Sequence, residues 1–220
     1  MVKVKVIIFD LDNCVFDTHS MSEGILDALL ATLDQSDLTF HKRQKAKDLL
    51  WTTSLDDISS IVGFSGELLS KLHAIYANLE APDGLKSYGD EFCVKKLPGR
   101  KILVSTGYQK FQEGKIAKLG LADLFDEIIL DIIGDPTITR KGKRRIFEAL
   151  MAKNKWAASE VVVVGDNPTS ELGAGKALGL TTVQTLRPGV VKWPEADFHI
   201  TRLTELEGII KQIENNAPTA

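Results

Sequence analysis

Only two cysteines, Cys14 and Cys93, occur in the 220 residues. No disulfide framework can therefore hold this chain, and both read as reduced thiols in a cytoplasmic protein. No apolar run approaches the ~18 residues that span a bilayer. Residues 1–9 enter an apolar strand directly, without the small-residue cleavage site of a secretory leader. An excess of positive charge is missing too: 27 Lys and Arg against 30 Asp and Glu leave a net −3. Nothing in that balance attracts a polyanion, so neither nucleic acid nor a membrane is expected among the partners. No repeat of roughly 20–50 residues recurs, which excludes a solenoid. What remains is a globular protein, monomer or homodimer, since an apolar helical face can serve as core or as dimer interface.

The length suits one core of ~150 residues with an accessory unit of ~70. Residues 4–9 form a continuous apolar run rich in β-branched side chains, the mark of a strand buried on both faces. The pattern returns at 101–105, 127–130, 161–164 and 181–185, and more weakly at 198–200. Helical stretches lie between, at 109–119, 144–152 and 170–178, the first and last ending at Gly120 and Gly179 as C-capping predicts. Alternation of this kind predicts an α/β fold, a Rossmann-like doubly wound parallel sheet.

Residues 18–84 break the rhythm, with helical periodicity only. Met21, Ile25, Leu26, Leu29, Leu30 and Leu33 fit one helix, and Leu49, Leu50 and Trp51 another. Ile58, Ile61 and Val62 fit a third, and Leu68, Leu69, Leu72, Ile75 and Tyr76 a fourth. The expectation is an inserted α-helical cap over the C-terminal strand ends, where open α/β sheets bind ligands, with the core formed by 1–17 and 85–220. The end of the chain, from Asn215, reads as frayed.

The chemistry concentrates at strand ends. Asp10-Leu11-Asp12 follows the first strand, and residues two apart in a strand point the same way. The two carboxylates then share a site while Leu11 turns to the core. Carboxylates so close repel unless a cation joins them or one keeps its proton. One could be a metal-bound nucleophile and the other a general acid, although a solvated turn also favours Asp. Gly165-Asp166 closes another buried strand and Glu171 follows, so two strand tips offer hard oxygens suited to Mg²⁺. A capping turn with acids at a helix N-terminus is the alternative, but does not explain the glycine before Asp166. Ser105-Thr106-Gly107 ends its strand with a hydroxyl and amides able to cradle phosphate, or as a plain turn. The basic run Arg140-Lys141-Gly142-Lys143-Arg144-Arg145 is mostly a solvated face. One lysine from it, placed over the site, would neutralise a nucleophile and a transferring phosphoryl group.

In this order, Asp10-Leu11-Asp12-Asn13, Ser105 after Ile102-Leu103-Val104, a lysine at Lys141 or Lys143, and Gly165-Asp166 with Glu171 resemble the four motifs of the haloacid dehalogenase superfamily. The stretch 107–125, with Leu119-Gly120-Leu121 and Asp123-Leu124-Phe125, resembles subclass I members, in which a helical cap lies between motifs one and two. The resemblance implies that Asp10 attacks phosphorus and that Asp12 protonates the leaving oxygen, then activates water. Mg²⁺ would be held by Asp10, Asp166 and the backbone carbonyl of Asp12, with Glu171 in an outer shell. Ser105 and the amides of Thr106 and Gly107 would hold phosphate oxygens. Asp12 is the mark of phosphatases and phosphomutases, because an ester leaving group needs a proton donor.

Three positions depart from the usual pattern. Cys14 stands where threonine is common, and Glu171 where aspartate is. Gly142 stands where many subclass I members have proline after the lysine. Counting back from Ile146-Phe147 favours Lys141 for motif three, with Lys143 the alternative. The implied activity is a Mg²⁺-dependent phosphatase for a small phosphomonoester. Phe16 and Gln112 are similar to the nucleotidase-like branch and put nucleoside 5′-monophosphates first, then sugar phosphates or phosphoglycolate. A phosphomutase, or a non-catalytic binding protein that keeps the fold, are the alternatives. Trp51, Phe40, His41 and Tyr76 are the cap residues able to line a substrate pocket, or to pack within the cap.

Overall fold

The computed structural model describes residues 3–21, 24–51, 53–135 and 137–216. Among these, six parallel strands form one sheet in the order β3-β2-β1-β4-β5-β6. They are β1 (Val6–Phe9), β2 (Arg100–Gly107), β3 (Glu127–Ile132), β4 (Val161–Gly165), β5 (Thr181–Thr185) and β6 (Phe198–Ile200). The order runs one way from β1 to β3 and the other way from β4 to β6, so the chain reverses direction across the sheet between β1 and β4. A crevice opens outside the strand ends at such a point.

The continuous apolar strands have two covered faces to satisfy. Ile7, Phe9, Leu103, Val162 and Val164 point to one, packing under Phe125, Leu203, Leu206 and Ile210. Val6, Ile8, Ile102, Val104, Val161 and Val163 point to the other, against Ile146, Phe147 and Leu150. The covering helices are α5 (Gln109–Lys118), α6 (Lys143–Asn154), α7 (Glu171–Ala177) and α8 (Leu206–Asn216). Each fully buried Leu, Ile, Val or Phe contributes about 1.5–3 kcal/mol, so this two-sided burial is the main stabilising term.

Between β1 and β2 lie α1 (Asp27–Asp34), α2 (Phe40–Leu49), α3 (Leu55–Val62) and α4 (Gly66–Ala77). They close their own apolar cluster around Leu29, Leu33, Leu50, Ile58 and Leu72, joined by Tyr108 and Phe111 from the sheet side. Ser54 and Ser65 cap α3 and α4, accepting from the Asp57 and Leu68 amides at 3.2 Å each. The chain leaves and re-enters side by side: the Asp17 amide donates to the Lys86 carbonyl at 3.1 Å, and Phe16 bridges Ser87.

Two helices differ from the sequence reading. The first begins at Asp27, because Gly24 turns the chain with φ +93°, which leaves Met21 and Ile25 outside it. Part of that reading, Ser22 and Glu23, lies outside the described residues. The second runs over the polar residues Phe40–Leu49, so Leu50 and Trp51 follow its end and do not form its centre. The last four residues of the expected frayed end also lie outside the described residues, and α8 runs to Asn216.

Beneath the loop after β1 is a buried ion pair. Arg187 donates to both oxygens of Asp90 at 2.9 Å, to the Cys14 carbonyl at 2.8 and 3.2 Å, and to the Thr201 carbonyl at 2.9 Å. Asp90 also accepts from the Leu203 amide at 2.9 Å. This fork ties the segment that follows Asp12 to the strands beyond β4. Removing one partner strands the other's buried charge, which costs far more than the pair itself contributes. Asp90→Ala is therefore expected to lose about 3–5 kcal/mol, read as a lowered urea midpoint. A midpoint within error of the parent would show that the fork is not structural.

Candidate active site

The register of the central strands assembles the site. Asp10 follows Phe9, and its amide donates to the Val164 carbonyl of β4 at 2.9 Å. Phe9 pairs with Val164 and with Leu103, so Asp166 and Ser105 each lie two residues beyond strand partners of the residue before Asp10. Leu11 is fully buried in the core while Asp10 and Asp12 line one cavity of about 690 Å³, as the two-residue spacing predicts. Asn13 then takes φ +53°, a left-handed turn that Asn tolerates better than most residues. It accepts from the Thr18 hydroxyl and donates to Asp166 at 3.4 Å.

Carboxylate oxygens of Asp10, Asp166 and Glu171 lie within 4.8 Å of one another. Lys143 reaches Asp10 Oδ1 and Glu171 Oε2 at 2.7 Å each. Burial pushes Asp10 up to about 7, against Lys143 and with help from Glu171 and Asp12. Burial likewise pushes Asp166 up to about 8, with Glu171 and Asp10 adding their repulsion. Burial alone would lower Lys143, but the two carboxylates outweigh it and hold its ammonium above the usual range. Three acids thus share one buried ammonium, leaving a deficit of positive charge. The residues fit a divalent cation, which would supply it. Glu171 has both oxygens engaged, since Oε1 accepts from the Asn167 amide at 2.7 Å. Asp10 and Asp166 keep the freer oxygens.

Gly165 precedes Asp166 for a steric reason. A Cβ there would lie 2.3 Å from Glu171 Oε1 and 2.4 Å from its Cγ, so only glycine leaves room for that side chain to fold back over the strand end.

Of the two candidate lysines, only Lys143 enters the site; it opens α6 and is buried. Lys141, the one favoured by counting back from Ile146-Phe147, is exposed, and its backbone amide donates to Asp131 Oδ1 at 3.1 Å. The placement follows from Gly142, which takes φ +76°, a value closed to proline near −65°. The loop therefore reaches the helix in a different path, with the lysine after the glycine on the first turn. Asp131 on β3 holds that path by also accepting from the Gly142 amide at 3.2 Å.

Ser105 is buried at the tip of β2, and Thr106 and Gly107 line the cavity beside it. Thr106 Oγ1 donates to Asp131 at 3.3 Å, so its hydroxyl is turned sideways. Cys14 faces inward, its thiol 3.7 Å from the Val164 carbonyl. Burial pushes that thiol well above its normal range, with Asp10 adding, so it is inert as a nucleophile. Trp51 and Tyr76 line the cavity, whereas Phe40 and His41 are not among its lining residues and pack edge to face on α2.

Sequence reasoning missed Lys115 as a site residue, and Gln112 was noted only as a family likeness. Lys115 Nζ lies 2.6 and 2.9 Å from the two oxygens of Asp12, and Gln112 Nε2 lies 3.2 Å from Oδ2. The signal was present in the helical phase, since Phe111, Gln112, Lys115 and Ile116 form one buried stripe on α5.

The model of the haloacid dehalogenase-like hydrolases matches residues 4–179. The chain belongs to this hydrolase family. Among solved structures it resembles the HAD-hydrolase YfnB of Bacillus subtilis, solved bound to magnesium. That likeness has 18% identity and TM-score 0.64, covering 94% of this chain and 99% of the other. A HAD phosphatase from Thermococcus onnurineus is similar at 22% identity and TM-score 0.62, covering 94% and 97%. So is the L-2-haloacid dehalogenase of Xanthobacter autotrophicus, at 17% identity and TM-score 0.59, covering 94% and 98%. At these identities the likeness is one of fold. No curated protein matches the sequence.

The crowded acids have a consequence for stability. In the folded, metal-free chain burial keeps Asp10 and Asp166 protonated up to about 7 and about 8, whereas an ordinary aspartate gives up its proton at about 4. The unfolded chain therefore releases these protons first, and their contribution turns increasingly unfavourable as pH rises through that window, then levels off. Asp166→Asn is expected to raise the metal-free Tm, by more at about pH 8.5 than at about pH 5, at about 2–4 °C per kcal/mol. Mg²⁺ should raise the Tm of the parent and not of this variant. An Asp166→Asn variant melting below the parent at high pH would contradict the charge deficit.

Proposed function

We propose that this chain is a Mg²⁺-dependent phosphatase that hydrolyses a small phosphomonoester through an aspartyl-phosphate on Asp10. The observation that carries the reading is the pairing of roles across one cavity. Asp10 is gripped by Lys143 beside Asp166 and Glu171, and Asp12 stands two residues on with its own cation. An ester cleavage needs a proton donor that carbon–halogen cleavage does not, so Asp12 favours phosphatase over dehalogenase chemistry within the family.

In the first step an Asp10 oxygen attacks phosphorus, the ester P–O bond breaks, and Asp12 gives its proton to the leaving oxygen. In the second, water attacks the phosphorus of the aspartyl-phosphate while Asp12 takes its proton. Inorganic phosphate leaves and the Asp10 carboxylate is restored. Ser105 and the Thr106 and Gly107 amides would bind the equatorial oxygens, and Lys143 would offset charge on Asp10 and the phosphoryl group. Asp10, Asp166 and the Asp12 carbonyl would hold Mg²⁺, which when bound supplies further charge neutralisation at the phosphoryl oxygens. Glu171 would act by orienting Lys143 and the Asn167 amide.

The helices between β1 and β2 would form the cap, residues 18–84, that closes over the leaving group and excludes water. Its share of the cavity sets Leu50, Trp51 and Tyr76 beside the polar Thr53, Ser54 and Asp57, and the Tyr76 ring stacks on Tyr108 and meets Phe111 edge to face. That lining supports a leaving group with a flat apolar portion. Nucleoside 5′-monophosphates come first, ahead of sugar phosphates and phosphoglycolate. The two free, buried thiols suit a reducing cytoplasm.

A Mg²⁺-dependent phosphate-release screen over these three ester classes tests the reading. Release from at least one class is expected, abolished in Asp10→Asn. Activity surviving in Asp10→Asn would overturn the aspartyl-phosphate, and a product that kept its phosphate would make the protein a mutase. Lys143→Ala should lose about 10²–10³-fold in kcat, while Lys141→Ala should stay near the parent. The reverse order would return the role to Lys141. Cys14→Thr is expected to leave turnover within a few fold of the parent, since the thiol faces the β4 carbonyl and not the cavity.

A further inference from the structure

We infer that Lys115 is the positioning residue for Asp12, fixing the carboxyl where leaving oxygen and water must pass; this rests on the phosphatase reading above. Its side chain is 4% exposed, yet both short contacts of its ammonium run to one carboxylate, at 2.6 and 2.9 Å. Two aromatic rings flank it as well. Phe16 and Phe111 present ring centroids 5.3 and 5.1 Å from Nζ, close enough for cation–π attraction and too apolar to offer it another anion. A buried ion pair of this kind adds little stability over an apolar pair of the same shape. Its physical effect is directional: Lys115 holds the carboxyl in one orientation, and when Asp12 carries the proton one oxygen still accepts from the ammonium while the other donates to the leaving oxygen.

Gln112, one helical turn earlier, completes the clamp. Its Nε2 approaches Asp12 Oδ2 at 3.2 Å, Ser105 Oγ at 2.9 Å and the Thr106 carbonyl at 2.9 Å. Because Ser105 Oγ accepts from Gln112, its own proton is free to donate towards a phosphate oxygen. To make these contacts Gln112 leaves its Oε1 buried with no hydrogen-bond partner, a cost that stability alone would not select. A close approach permits the arrangement, since a Cβ on Gly107 would lie 2.7 Å from Gln112 Nε2. One face of α5 thus sets the acid/base on one side and the phosphate-binding hydroxyl on the other.

Leaving-group dependence separates this role from a purely structural one. p-Nitrophenolate leaves without a proton, whereas a nucleoside 5′-hydroxyl requires one. In single-turnover reactions with Mg²⁺, Lys115→Met is expected to release p-nitrophenolate from p-nitrophenyl phosphate within about 5-fold of the parent. Its release of nucleoside from a nucleoside 5′-monophosphate should fall about 10²-fold or more. Lys115→Arg should recover part of that loss. Equal losses on both esters, or none on either, would overturn the proposal. If Lys115→Met does not fold, Gln112→Leu serves in its place and should show the same selectivity at smaller amplitude, its absence counting against the clamp. A crystal structure of the variant gives a readout without activity: the Asp12 carboxyl should leave its present orientation, and an unmoved carboxyl defeats the idea. If the parent cleaves a sugar phosphate or phosphoglycolate instead of the nucleotide, that ester takes the nucleotide's place; if it cleaves none of these esters, the phosphatase reading fails and the orientation alone decides the role of Lys115.

Discussion

The repulsion among four carboxylates at one crevice is the constraint on which the rest of this structure depends. Asp10, Asp12, Asp166 and Glu171 all line the same cavity. Lys143 bridges Asp10 and Glu171, Lys115 takes Asp12, and Asp166 is left with a long contact to Asn13. Desolvation makes the shortfall severe, which is why Asp10 and Asp166 are pushed so far up. Buried acids arranged this way destabilise a protein on their own and are useful to one that binds a cation and a phosphate group.

Much of the surrounding architecture serves to hold these groups against that repulsion. β1 and β4 are neighbours only because the chain reverses direction between them. Gly165 makes room for Glu171, and Asp131 steers the loop that delivers Lys143. Arg187 and Asp90 anchor the Cys14 carbonyl just past Asp12. None of these touches a substrate in the proposed mechanism, yet each sets the direction of a group that would.

The chain belongs to a hydrolase family, and the solved structures it resembles span a phosphatase and haloacid dehalogenases of closely similar fold. The fold therefore does not choose between them. In the proposed mechanism the choice rests on Asp12 and its lysine, and the helices between β1 and β2 bring Tyr76 against Tyr108 and Phe111 at the cavity wall.

The parallel sheet was legible because strands buried on both faces must be apolar throughout, and residues 4–9 and 161–164 could be little else. Asp10, Ser105 and Asp166 were legible as strand-end residues, since period-two geometry and topology leave little freedom there. The first two inserted helices were less legible, because Gly24 and the polar stretch 40–49 set their limits against the apolar pattern. The lysines were harder still. Lys141 and Lys143 differ only in which side of a flexible glycine they occupy, and the φ of Gly142 decides that through a carboxylate on a distant strand. Lys115 is separated from Asp12 by 103 residues, so its partner exists only once α5 packs beside the loop after β1. Local periodicity determined the frame and the acids of this site; long-range packing decided which cations meet them, because charge pairing acts through space and not along the chain.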